Sequence, residues 1–144
     1  MTLRILSSLL TLAAFAQAPQ DYDLVVYGGT AGGAMTAIAA ARQGLNPILI
    51  EPGQHVGGML TGGLSRTDVG KREVIGGLSL EFYVRVGERY GMHRFLHPVA
   101  WQYEPRVGES VLREMLAQAQ VQVLYGERLR EKTGVVKTGS QITE

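Results

Sequence analysis

The sequence contains no cysteine. Disulfides, thiolate metal sites and cysteine nucleophiles are thereby excluded, while the compartment stays open. Charge of one sign is also lacking. Lys and Arg number 14 against 13 Asp and Glu, a net charge of +1 at pH 7. A nucleic-acid partner needs a clustered basic face, so none is expected. No Gly-x-Ser-x-Gly elbow occurs, and no Gly-Lys-Ser/Thr ending follows the glycine cluster. Serine-hydrolase and P-loop NTPase readings find no support. His93 and His97 stand at i, i+4, but Pro98 opposes a regular helix and no acid completes the set, so no metal is expected.

A run long enough to span a bilayer is missing as well. The apolar run at residues 5–16 is too short. It follows Arg4 and closes on small residues, Ala14-Phe15-Ala16 or Ala16-Gln17-Ala18, which is the layout of a secretory signal peptide. Cleavage is expected after Ala16, because a cut after Ala18 puts Pro19 beside the scissile bond. A buried N-terminal helix is the alternative. No Arg-Arg pair precedes the run, so a Sec-type route is expected, with cofactor loading after export to the periplasm or beyond. After cleavage no membrane partner is expected.

Glycine is what the chain has in quantity. Of its 19 glycines, ten form the pairs 28/29, 32/33, 57/58, 62/63 and 76/77. The first two pairs lie in "DLVVYGGTAGGAMTAIAAARQGLNPILIE". Residues 24–27 read as a short buried strand. From Ala31 to Gln43 the pattern turns helical, with Ala34, Ala37, Ile38 and Ala41 on one face. Gly44 supplies the stop, and residues 48–50 form the next strand, entered through Pro47. Strand, helix and strand in this compass make a βαβ unit with parallel strands.

A phosphate wants backbone N–H donors, and a helix N-terminus offers several. "GGTAGG" sits where the strand meets the helix. Against the dinucleotide pattern G-x-G-x-x-G it gives Gly28, Thr30 and Gly33, so the middle glycine is missing. Thr30 brings a Cβ toward the pyrophosphate path, and its hydroxyl offers a phosphate contact instead. Glu51 ends the second strand, where a carboxylate accepts hydrogen bonds from ribose hydroxyls and repels a 2′-phosphate.

These residues, with "EPGQHVGGMLTGG" after them, resemble the N-terminus of FAD-dependent oxidoreductases with the glutathione-reductase-type fold. Within that superfamily the chain is most similar to exported bacterial members of a xanthan-lyase-like branch. The likeness continues through "IGGLSLEFYVRVGERYG" and "WQYEPRVGESVLREMLAQAQVQVLYGERL". It implies an α/β fold, a Rossmann-like FAD-binding βαβ unit with a parallel sheet, followed by helices and the start of a β-meander. Residues 21–144 would be the N-terminal part of one FAD/NAD(P)-binding domain, the front of a longer protein. The resemblance further implies FAD as cofactor. Gly28, Gly29, Thr30, Ala31, Gly32 and Gly33 would face its pyrophosphate, Glu51 its adenosine ribose with Pro52 alongside, and Gly57, Gly58, Met59, Leu60 and Thr61 its flavin half. Hydride would pass from a small organic substrate to the flavin and on to an electron acceptor. Two rivals are an NAD-dependent dehydrogenase, which gives "GGMLT" no role, and a non-catalytic flavoprotein remnant.

The remaining chain is read more coarsely. Leu78, Phe82, Tyr83, Val86 and Tyr90 mark a second amphipathic helix, residues 91–106 a loop, and Val111 to Ala119 a third helix. A third strand follows at residues 121–124, then strands joined by turns at Thr133-Gly134 and Thr138-Gly139. His55 stands where many relatives carry Arg. It is read as a loop histidine with a satisfied hydrogen bond or, alternatively, as a proton donor, phosphate contact or covalent flavin site. Trp101 and Tyr103 are expected to anchor a loop over the core, and Glu104 and Glu109 to be solvated. No catalytic residue is assigned.

Overall fold

The structure is a computed structural model that describes residues 21–64, 67, 68 and 70–143. The expected signal peptide lies outside the described residues. β1 (Leu24–Tyr27), α1 (Ala31–Arg42) and β2 (Pro47–Glu51) form the βαβ unit. After irregular chain come α2 (Gly77–Arg89), α3 (Pro105–Gln118) and β3 (Gln122–Tyr125). The sheet order is β1-β2-β3, parallel throughout, with Val26 paired to Leu49 and Leu49 to Val123. No helix among the described residues is long and apolar enough to cross a membrane.

Local chemistry accounts for the elements. Thr30 caps α1, its Oγ1 accepting from the Gly33 N–H at 3.1 Å. The helix then turns Ala34, Ala37 and Ile38 fully inward. Small side chains let α1 lie close on the sheet, and Val26 and Leu49 meet it from the sheet side. Leu112, Met115 and Leu116 of α3 and Phe82 and Val86 of α2 complete the core. Phe82, Tyr83, Trp101 and Tyr103 form an aromatic group under the irregular chain, with centroids 4.8–6.2 Å apart.

Three expectations are corrected. α3 begins at Pro105, inside the stretch read as loop, because proline's fixed φ and missing N–H suit the first helical position. β3 runs one residue later than expected, since the Val121 N–H bonds back to the Leu116 carbonyl at 3.0 Å and belongs to the helix exit. Among its described residues the tail holds only the two-residue pair β4 (Lys137–Thr138) and β5 (Gln141–Ile142). Around Thr133-Gly134 a turn closes on the Arg130 carbonyl without flanking strands. Between Glu127 and Lys132 only Leu129 is apolar, so a strand there would have no face to bury.

α1 and α2 are clamped by Glu81. Arg42 donates to both its oxygens, at 2.6 and 2.8 Å, and Arg85 Nε adds a third bond at 2.9 Å. The Arg42 hydrogen bond is the main reason the carboxyl is held at about 2. A lowered native pKa means stability present above the ordinary value of 4.5 and lost as pH falls toward 2. Glu81→Gln should therefore cost about 1 kcal/mol at pH 7, discounted for the partial exposure of the pair. In urea unfolding the difference from wild type should close between pH 5 and pH 2. A gap that stays constant across that range would mean the clamp is not ionic.

Candidate functional site

The site is built where β1 gives way to α1. The Gly28 N–H extends the ladder to the Ile50 carbonyl at 2.8 Å, and the chain then turns through Gly28 at φ 98°. Gly33 lies in the first turn of α1. A Cβ on it would stand 2.1 Å from the Gly28 carbonyl oxygen, so glycine is needed for the helix to start this close to the strand. Gly32 differs. A Cβ there would meet nothing nearer than Thr30 Oγ1 at 4.0 Å. Protein packing gives no reason for glycine at 32, in a helical turn that alanine would favour. The space beside it is a cleft of about 580 Å³, bordered by Thr30, Ala31, Gly32, Gly57, Leu60 and Tyr103 among others.

The second glycine pair joins the first. The Gly57 N–H donates to the Gly29 carbonyl at 2.6 Å, and Thr30 and Gly57 form a parallel bridge. From there Gly58–Leu60 makes a 3₁₀ turn. Tyr103 fixes that turn, its hydroxyl donating to the Leu60 carbonyl at 3.1 Å. Burial, and next the field of Tyr83, push the Tyr103 hydroxyl up to about 12 against an opposing bond from Thr67, so it stays a donor. Tyr103 thus anchors a loop and also walls the cleft.

Glu51 stands between the two glycine loops. Its Oε2 accepts from the Gly29 N–H and its Oε1 from the Gly53 N–H, each at 2.6 Å. Each oxygen keeps a lone pair for a further donor. The acid read as a ribose ligand is also the strut of its own loop, which the spacing did not reveal. Pro52, half-buried, follows it.

The Thr30 hydroxyl accepts from the Gly33 N–H and keeps its own hydrogen and a second lone pair to offer a ligand. Thr61, expected along the flavin half, is buried, and its hydroxyl donates to the Val56 carbonyl. It shapes the turn from inside. Met59, by contrast, is 80% exposed at the cleft margin.

Outside the cleft, His55 is 80% exposed at its side chain, with Nδ1 2.9 Å from Glu109 Oε2. Its hydrogen bond is satisfied, and it does not border the cleft. Glu109, expected to be solvated, takes both His55 and Arg113. Burial alone would raise its carboxyl, but the bonds from His55 and Arg113 outweigh this and hold it below the ordinary range. Glu104 accepts from the Tyr90 hydroxyl. Among the described residues no group of three or more His, Asp or Glu gathers as a metal site would need.

The cradle fits a dinucleotide's phosphates. It has a helix N-terminus, a side-chain-free wall at Gly32 and a carboxylate with spare acceptor capacity beside it. A family model described as FAD dependent oxidoreductase matches residues 23–144. Over 44 residues the chain is 43% identical to a 3-oxosteroid 1-dehydrogenase of Mycolicibacterium smegmatis (strain ATCC 700084 / mc(2)155), a stretch covering 31% of this chain and 8% of that protein. Among solved structures, AlpK aligns at 16% identity and a TM-score of 0.47, over 85% of this chain and 27% of its own. OTEMO in complex with FAD and NADP aligns at 15% and 0.44, over 75% and 19%. The chain thus spans a small part of each.

Proposed function

This chain belongs to the FAD dependent oxidoreductase family, whose cofactor is FAD, and on that premise we propose that residues 23–144 carry the nucleotide-binding half of a flavoenzyme. The flavin, when bound, supplies the hydride and electron chemistry, between a small organic substrate and a separate acceptor. The chain's own residues bind and orient. Gly28 to Gly33 present the start of α1 to the pyrophosphate. Glu51 receives the adenosine ribose while bracing Gly29 and Gly53. Gly57, Gly58 and Leu60 run toward the flavin half, with Thr61 holding their turn from beneath.

The observation that carries this reading is the bond from the Gly57 N–H to the Gly29 carbonyl, which makes one cradle of two glycine loops. An NAD-dependent dehydrogenase would leave the second loop without a role. Delivery outside the cytoplasm by residues 1–16 is part of the proposal. It rests on the charged, apolar and small-residue order of that segment.

The test joins these points. Protein recovered from the exported fraction should begin at Gln17 and carry a flavin absorption band near ~450 nm, a property of the cofactor itself. Gly32→Ala should raise the apo-protein's stability by up to about 1 kcal/mol through helix propensity while lowering flavin occupancy. Full occupancy in that variant would show that the cleft beside Gly32 is not the phosphate site.

A further inference from the structure

The loop from Glu51 to Gly57 is gripped at its start by the Glu51 carboxylate and by the Gly126 N–H, which donates to the Glu51 and Gly53 carbonyls at 2.8 and 3.0 Å, and at its tip by α3. Gly53, Gln54 and His55, at its tip, are exposed and bury nothing. Yet Arg113 Nη2 donates to the Gln54 carbonyl at 2.6 Å. The same guanidinium donates through Nη1 to the Tyr125 hydroxyl at 2.8 Å and through Nε to Glu109 Oε1 at 2.9 Å. Its Cζ lies over the Tyr125 ring, 4.6 Å from the centroid, a cation–π contact added to the bonds. The second oxygen of Glu109 meets His55. Two residues four apart on α3 therefore hold two consecutive residues of the loop.

We propose that Arg113 is a positioning residue for the adenosine half of the cofactor. It sets the Gln54 carbonyl, and through it adds a second anchor to the chain that Gly126 holds at Glu51 and Gly53, without bordering the cleft. This rests on the FAD reading above. Burial does not explain the arrangement. The Arg113 side chain is 41% exposed, and a surface arginine with no positional role has no reason to commit all three nitrogens and a ring face at once.

Arg113→Met keeps the alkyl stem near Tyr125 and removes the donors. Full-length wild-type and variant proteins are titrated with FAD and with FMN, which lacks adenosine, following flavin fluorescence. In the variant the FAD dissociation constant should rise about tenfold, the worth of one charged hydrogen bond, while that of FMN is unchanged. Arg113→Lys, which keeps charge but lacks the planar fork, should recover part of the loss. Unchanged FAD affinity in Arg113→Met overturns the assignment and leaves the FAD reading intact. Equal weakening of FAD and FMN also overturns it, since Arg113 then supports the fold alone. Wild type that binds neither flavin removes the FAD reading, and this inference with it.

Discussion

Gly33→Ala should abolish the native fold or drop its melting temperature by roughly 10 °C or more, at about 4 °C per kcal/mol for a domain of this size. The added Cβ would sit 2.1 Å from the Gly28 oxygen, 3.3 Å from its carbonyl carbon and 3.4 Å from Val26 Cγ1. Two of these three neighbours are backbone and cannot rotate aside. Relief requires α1 to lift from β1, yet Ala34, Ala37 and Ile38 pack there with no exposed surface. Overpacking of ordinary side chains costs about 1–3 kcal/mol, and a clash with backbone belongs at or above that range. Total stability is only about 5–15 kcal/mol. Gly32→Ala makes the same chemical change one residue earlier and should be tolerated by the fold. Thermal unfolding of the two variants side by side isolates position from composition. Equal melting temperatures would mean that α1 does not approach β1 as closely as described.

Glu51→Gln should weaken FAD binding by about 100-fold, near 3 kcal/mol, with a smaller loss of stability. The carboxylate accepts from two backbone N–H groups, one per oxygen. An amide has a single accepting oxygen, so its NH₂ must face one of those donors. Leaving that N–H without an acceptor costs about 1–3 kcal/mol, and the loop that would meet the ribose is displaced with it. Loss therefore comes from contact and from shape together. Isothermal titration with FAD measures the affinity, and urea unfolding of the apo-protein measures the structural share. Wild-type affinity in this variant would show the ribose assignment to be wrong.

The βαβ unit was legible because its cues are local. Gly44 stops α1, and the alanines before it repeat at helical spacing. The glycine pairs at 28/29 and 32/33 and the acid at 51 answer to known demands of phosphate and ribose, whereas the pair at 57/58 joined them only through the family resemblance. Their division of labour could not be read. That Gly33 serves the protein and Gly32 faces open space depends on where the Gly28 carbonyl points, which no spacing encodes. Arg113 and Glu109 were missed for a related reason. Their partners His55 and Gln54 lie 54 and 59 positions away in sequence, and at i, i+4 the two look like an ordinary solvated helix pair. Pro105 carried a helix-start signal that was read as part of a loop. The tail was over-read, because turn residues at Thr133-Gly134 promise a hairpin only where the flanking chain has a face to bury.

The bond from Gly57 to Gly29 and the two bonds to Glu51 close within the protein itself, using no ligand atom. The conformational entropy of this region is thus lost on folding and not again on association. An incoming nucleotide meets a surface already shaped, so its capture is governed by encounter and desolvation instead of by loop closure. The free and loaded backbones of this half should then differ little, as in other preorganised complexes.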